Sequence, residues 1–171
     1  MAEIPSTPAD GHVLVKIVPA VADLNAPTLT ELNAAGAIDI SCYLTSDGYN
    51  PSIDEQVATD ERLCSVQTFE QPGRVSNTLD LTYIDNTNSP NEATDNKAKE
   101  TLAPGSTHVL MVRRGLPYED ALAAGQKVTL FPIKPGQYNE LTPEANSVLK
   151  IAQKQFVTGP VARSVPIAAG V

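Results

Sequence analysis

The side chains that could support catalysis or bind a metal in this sequence are two histidines, two cysteines and three acidic doublets. His12 and His108 are too few for a multi-histidine metal site, and neither belongs to a helical His-x-x-x-His pair. Cys42 and Cys64 cannot complete a tetrahedral thiolate set, and their apolar neighbours are typical of small buried side chains on strands. The two could form a disulfide, although a chain of this length does not need one. The sequence therefore predicts no metal site and no cofactor.

Acidic doublets occur at Asp54-Glu55, Asp60-Glu61 and Glu119-Asp120. Paired carboxylates can act as acid and base on glycosides or hold a hard cation. Adjacent side chains on a strand or loop usually diverge, however, and the chain has few aromatic residues and no tryptophan for a sugar subsite. We interpret the doublets as solvated surface charge. Because a nucleophile elbow and phosphate-binding loops are also absent from the sequence, it argues against an enzyme.

Composition and charge indicate a folded, acidic protein. The formal net charge is −8 with only 12 lysines and arginines, so net repulsion of nucleic acid is expected. The start of the sequence has no basic segment, and its first apolar run, residues 13–21, is interrupted by Lys16 and Pro19. We therefore expect no signal peptide and no membrane span. The expected location is the cytoplasm in which the chain is made, or an assembly built there.

The first half of the chain contains two predicted strands and a long polar segment. Residues 1–11 are predicted to be an extended N-terminal arm, and residues 12–18 a first strand. Residues 37–45 alternate strictly, with Ile38, Ile40, Cys42 and Leu44 on one side, as in a half-buried strand. Residues 46–61 are acidic and aperiodic. They are predicted to be a long loop, and loops of this length are usually functional or disordered.

The second half is predicted to be β-rich with one helix. Residues 62–70 and 76–84 form a predicted hairpin joined by a turn at Gln71-Pro72-Gly73. Ser89 and Glu92 have the spacing of a capping box, which predicts a helix ending at Leu102. Residues 107–113 are predicted to be a strand buried on both faces, with a helical turn at 118–124 and strands at 127–133 and 147–157. The fold class is mainly β, a β-sandwich or barrel with one flanking α-helix, formed as a single domain by residues 12–171.

In the order and the sequence character of these segments, the chain resembles the major tail tube proteins of siphophages, especially those that infect actinobacteria. The resemblance covers most of the chain and uses no short diagnostic motif. It rests on residues 11–19 (GHVLVKIVP), 37–45 with the polar segment that follows, 69–84, 91–102 and 107–115, and above all on residues 149–159 (LKIAQKQFVTG).

The resemblance implies a structural virion protein with the β fold of contractile-tail and type VI secretion tubes. Six copies would form a ring, the inner strands would join into one β-barrel, and rings would stack around a tape-measure protein. A tail terminator and baseplate or distal tail proteins would be the other partners. DNA would pass through an acidic bore without specific binding, and no membrane would be involved.

Two sets of residues are candidates for roles in such a tube. The polar side of the strand at 76–84 is predicted to line the bore through Thr78, Asp80 and Thr82, although this side could equally face outward. Its apolar side, Leu79, Leu81 and Tyr83, is predicted to face the core and the helix. The polar segment and the N-terminal arm are predicted to make contacts between rings. The candidates in the polar segment are Asp47, Tyr49, Asp54, Glu55, Asp60 and Glu61.

Other functions remain open on the sequence alone. The same β fold would suit a head-decoration, tail-terminator or head–tail connector protein of a phage. A small β-sandwich module that binds sugar or protein is an alternative from another class, disfavoured by the scarcity of aromatic residues. An enzyme that uses one of the acidic doublets is the least favoured.

Overall fold

A computed structural model describes residues 3–169, so the ends of the predicted arm (residues 1–2) and of the predicted domain (residues 170–171) lie outside it. This part of the chain forms eight strands and two short helices. In chain order they are β1 (Val13–Val18), α1 (Leu29–Leu32), β2 (Ile38–Asp39), β3 (Leu44–Asp60), β4 (Phe69–Ile84), α2 (Lys97–Thr101), β5 (His108–Arg114), β6 (Lys127–Glu140), β7 (Lys150–Val157) and β8 (Ala162–Pro166).

The strands form one antiparallel sheet in the order β2-β1-β5-β6-β7-β4-β3, with β8 paired to the first residues of β6. The sheet is curled into a half-barrel, which confirms the mainly β fold class. Strand β7 follows β8 along the same edge of β6, since β8 pairs with residues 127–130 and β7 with residues 133–140.

Apolar side chains cover both faces of the β1-β5-β6 part of the sheet. On one side of the sheet, Leu110 and Val112 belong to a core cluster that also contains residues of β4, β7 and α2. On the other side, Val109 and Met111 pack with Leu32 of α1 and with the C-terminal segment. Strand β5 is therefore buried on both faces, as its unbroken apolar run predicted.

The strand predicted at residues 37–45 is interrupted at residues 40–43, between β2 and the start of β3. The Asp39 carboxylate accepts hydrogen bonds from the Ser41 N–H (2.8 Å) and hydroxyl (2.7 Å), which favours a turn over an extended chain. The chain then turns through Cys42 before β3 begins. Cys42 and Cys64 are both free and exposed, so the prediction that they are buried strand residues is also wrong.

The long loop predicted at residues 46–61 is also wrong, because these residues belong mostly to β3. Strands β3 and β4 form one long hairpin, whose tip is residues 61–68. The predicted turn at Gln71-Pro72-Gly73 instead lies inside β4, where a bulge follows Pro72. Residues 73 and 74 lie opposite Gln56 alone, and a Cβ on Gly73 would come within 2.6 Å of the Gln56 carbonyl oxygen. Pro72 and Gly73 therefore belong to a bent part of strand β4 and not to a turn.

The helix predicted from Ser89 begins only at Lys97. The Ser89 hydroxyl accepts from the Asn91 N–H (3.2 Å), and the Glu92 carboxylate accepts from the Asn88 N–H (2.8 Å), so these polar side chains stabilise successive turns. A capping box does form at the start of α1, where Thr28 and Glu31 each accept a hydrogen bond from the other's backbone N–H.

The helical turn predicted at residues 118–124 is absent from the described structure. The buried Arg113 side chain organises this segment instead: its guanidinium donates to the carbonyl oxygens of Pro117 (2.7 Å) and Asp120 (2.8 Å). Burial lowers the Arg113 pKa, while the nearby Asp120 carboxylate raises it. The predicted strands at 127–133 and 147–157 are present as β6 and β7 with different bounds, and β8 was not predicted.

Candidate assembly surfaces

The outer part of the β3–β4 hairpin projects beyond the rest of the sheet. Strand β4 pairs with β7 only through Leu79–Ile84, and before Leu79 it pairs with β3 alone. We call residues 51–78, with their tip at 61–68, the ribbon. The ten strand residues from Pro51 to Asp60 span about 33 Å.

One side of the ribbon continues the buried side of β4 and is not covered within the described chain. Pro51 pairs with the buried Leu79, so alternation places Ile53 and Val57 on this core side, together with Val75 opposite Glu55. The three apolar side chains are 56%, 58% and 54% exposed. Such a row of apolar side chains is typical of a surface that another molecule covers. We call it the ribbon stripe.

The opposite side of the sheet, which we call the polar face, runs across four strands. In β4 it contains Thr78, Asp80 and Thr82, while Leu79, Leu81 and Tyr83 are fully buried and pack with Ala98 and Leu102 of the α2 region. The predicted division of this strand into a core side and a polar side is therefore confirmed. The register extends the face to neighbouring strands through Asn50, Ser52, Asp54, Lys134, Ala152, Lys154 and Phe156.

Charges on the polar face are mixed. Asp80 lies opposite Lys154 in the β4–β7 register. The Lys154 ammonium is 5.6 Å from the centre of the Phe156 ring, and that ring covers the backbone of Gly136, where an added Cβ would be 2.8 Å away. Lys134 lies opposite Phe156 on β6. The −8 charge of the chain is therefore not concentrated on this face.

The six residues predicted to join rings do not form one patch. Asp47 and Tyr49 lie at the base of β3, and Tyr49 packs against Phe131 with 6.5 Å between ring centres. Burial raises the pKa of the Tyr49 hydroxyl, whereas the hydrogen bond from Thr45 lowers the pKa of Asp47. Asp60 is the last residue of β3 before the tip, eleven residues and about 36 Å along the strand from Tyr49.

The other members of this set also separate. Asp54 pairs with Ser76 on the polar face, while Glu55 pairs with Val75 on the core side, so this doublet diverges as adjacent strand residues should. Glu61 is exposed at the tip beside Asp60, whose carboxylate is 2.9 Å from the Arg62 guanidinium. Of the six candidates, only Asp60 and Glu61 lie at the end of the ribbon.

A groove that the sequence did not predict lies between the core side of the ribbon and strands β5, β6 and β8. Its volume is about 420 Å³, and its lining includes Tyr49, Ile53, Phe131, Arg114, Arg163 and Ser164. The Arg163 guanidinium donates to the Asn77 side-chain oxygen (2.5 Å), which connects β8 to the base of the ribbon. Arg113-Arg114 is the one sequence signal for this site, but only folding brings Arg163 near Arg114.

The described residues contain neither a metal-binding cluster nor a membrane-spanning helix. Between residues 3 and 169, no three or more histidine, cysteine, aspartate or glutamate side chains are grouped so that they could hold a metal ion. The helices in this range are too short to cross a membrane. A curled antiparallel sheet with a projecting ribbon and an uncovered polar face defines a structural β protein built to contact other chains.

Comparison with known proteins identifies the family. The family model described as "Phage tail tube protein" matches residues 1–170, so the chain belongs to the phage tail tube protein family. It is a structural, non-enzymatic component of the phage tail, which confirms the predicted class and its location in the virion.

A solved structure supports the fold. A chain of the "Cryo-EM structure of the anti-feeding prophage (AFP) baseplate, 6-fold symmetrised" aligns with a TM-score of 0.54 and 15% sequence identity. The alignment covers 98% of this chain and 100% of that one. No curated protein matches the sequence.

Proposed function

We propose that this chain is the major tail tube subunit of a siphophage of the actinobacteriophage type. Six copies form a ring, and rings stack around a tape-measure protein between a tail terminator and the distal tail or baseplate proteins. The siphophage assignment is supported by the resemblance in residues 11–19 and 149–159. The ring size is supported by the sixfold symmetrisation stated for the solved structure of similar fold.

The observation that carries this proposal is the polar face. In the section β6-β7-β4-β3, one side of the sheet packs on a core and the other side is uncovered across all four strands. Strand β3 ends the sheet with a 17-residue edge, and a long open edge readily pairs with another chain. Copies arranged in a ring would close this section into a barrel with the polar face inside.

The wall of such a bore would be polar, and its few charges would be mixed. Thr78, Asp80 and Thr82 would line it together with Asn50 and Ser52. Asp80 lies opposite Lys154, so the wall would carry neighbouring opposite charges and not the acidic lining that the resemblance implies. Short hydroxyl and amide side chains would let DNA pass without specific binding, because they present no cluster of cations to phosphate.

Electron microscopy of the purified full-length chain tests the proposal at its coarsest level. We expect long tubes or stacked rings, with sixfold symmetry in end-on views. Separate discs that never stack would point to a terminator or connector, and a monomer at high concentration would refute tube assembly. In virions, antibody against the chain should label the whole length of a tail that has no sheath.

Accessibility of cysteines tests which face lines the bore. In a Cys42→Ser, Cys64→Ser background, Asp80→Cys should react in tubes with a small maleimide but not with a polymer-linked maleimide too large to enter. The matched control is Thr94→Cys, an exposed site in the turns before α2, which should react with both reagents. If assembled Asp80→Cys tubes react equally with both reagents, the polar face does not line the bore.

A further inference from the structure

We propose that the groove under the ribbon is a binding site for the ribbon tip of a second copy of this chain. This inference deepens the proposed tube assembly and rests on it. The family match does not specify which residues make contacts between copies. The inference places one such contact in the groove, with Arg114 and Arg163 as its charged residues.

The groove is suited to a segment that is apolar and acidic. Its apolar wall includes Phe131, Tyr49 and Ile53, and Ile53 belongs to the ribbon stripe. Its basic residues are Arg114 and Arg163. Neither forms an ion pair within residues 3–169, and Arg163 donates instead to the neutral Asn77 amide oxygen. An anion placed here would complete a charge pair without displacing another carboxylate.

The ribbon tip has the complementary chemistry. Leu63 and Val66 are completely exposed, at 109% and 111% of the reference area, although both are large apolar side chains. Asp60 and Glu61 precede them, and Arg62 is the one cation between residues 60 and 68. Two apolar anchors beside acidic groups match an apolar groove with two arginines in polarity and charge.

The tip and the groove lie at different places on the same chain, so the tip of one copy can enter the groove of the next in a head-to-tail contact. A head-to-tail contact is not self-complementary and propagates from copy to copy, either into closed rings or into an open filament. The ribbon projects by about 33 Å, which is comparable to the diameter expected for a domain of this length. The tip of one copy can therefore reach the body of the next.

The N-terminal arm is the main competing occupant. Its residues 3–10 are exposed, and it contains Glu3, Ile4 and Asp10. Among the described residues of the arm, 3–10, Ile4 is the only large apolar side chain, whereas the tip offers two that are more exposed. We therefore assign the groove to the tip, and the experiment below separates the two occupants.

Disulfide trapping in assembled tubes tests the assignment, because Cys64 already lies at the tip. In a Cys42→Ala background, Thr129→Cys adds a thiol to the groove lining. We expect mild oxidation to give a ladder of linked chains on a non-reducing gel. Ala124→Cys, an exposed site outside the groove lining, serves as the matched control with the same tip thiol.

Normal tubes without a ladder, or an equal ladder from Ala124→Cys, would overturn the assignment and leave the tube proposal standing. A ladder from Ile4→Cys with Thr129→Cys in a Cys64→Ser background would overturn it in favour of the arm. Failure of the wild-type chain to form tubes at all would refute the assembly proposal on which the inference rests.

A charge swap provides an independent test. Arg163→Glu should raise the concentration needed for assembly by about tenfold, and adding Glu61→Arg should restore most of the loss. Asn77→Ala, which removes the internal partner of Arg163 but keeps its charge, should change assembly much less. If Asn77→Ala is as damaging as Arg163→Glu, or if the swap restores nothing, Arg163 acts within its own chain and the proposal fails.

Discussion

Gln153 is the centre of a buried hydrogen-bond network, and replacing it with leucine should destabilise the fold more than any neighbouring polar change. Its side-chain N–H groups donate to the carbonyl oxygens of Leu102 (2.9 Å) and Gly136 (2.8 Å). Its side-chain oxygen accepts from the Tyr83 hydroxyl (3.1 Å) and the Gln155 amide (3.2 Å). This one side chain therefore connects the end of α2, the irregular part of β6 at Gly136, and strands β4 and β7.

The expected cost follows from the number of groups left without a partner. Gln153→Leu removes four hydrogen bonds, and each buried neutral group left unpaired costs about 1–3 kcal/mol. Part of this is offset because leucine buries well, so we expect a loss of about 4 kcal/mol in the free energy of unfolding. Tyr83→Phe removes one bond, and the Gln153 oxygen keeps Gln155 as a donor, so that change should cost about 1 kcal/mol.

Urea unfolding of dilute, unassembled protein, followed by far-UV circular dichroism, measures both values. The midpoint should fall with little change in slope, since neither variant alters the surface exposed on unfolding by much. For a chain of this size, 4 kcal/mol corresponds to a drop in melting temperature of about 8–16 °C. If Gln153→Leu costs no more than Tyr83→Phe, the network does not hold these elements together.

Three further changes test local features by the same unfolding assay. Gly73→Ala should cost about 2 kcal/mol because its Cβ would meet the Gln56 carbonyl oxygen, and a neutral result would mean that the bulge can shift. Thr28→Ala should cost about 1 kcal/mol by removing the cap of α1, and no change would indicate that the cap is redundant. Although burial alone would raise the pKa of Asp85, hydrogen bonds from Thr87 hold it below its ordinary value of 3.8. The charged form therefore stabilises the fold above about pH 4, and wild type should lose more stability than Asp85→Asn between about pH 5 and pH 3; parallel curves would contradict this.

Side-chain alternation predicted the parts of the fold that a single chain buries. The pattern of Leu79, Leu81 and Tyr83 assigned the core side of β4 correctly, and the unbroken apolar run in β5 indicated burial on both faces. Both predictions succeed because the partner surfaces are in the same chain. A face that is buried within its own chain shows a regular spacing of apolar residues in the sequence.

Local polar contacts caused other errors. Residues 37–45 alternate perfectly, yet the Asp39 side chain turns the chain at Ser41. Ser89 and Glu92 have the spacing of a cap, yet each forms a shorter local turn. In both segments a side chain offers the backbone an alternative hydrogen bond, and periodicity does not report which of the two is adopted.

The ribbon was missed for a different reason, and that reason bears on function. A strand is recognised by one buried face, but within one chain the ribbon exposes both of its faces, so its sequence has the composition of a loop. Ile53, Val57 and Val75 nevertheless lie on one side of the ribbon, an arrangement that is not expected of a loop. Keeping three half-exposed apolar side chains in a row costs solubility in the free subunit and gains stability only when a second molecule covers them. The apolar pattern of residues 51–78 is therefore best explained by contacts that exist in the assembled tube and not in the single chain.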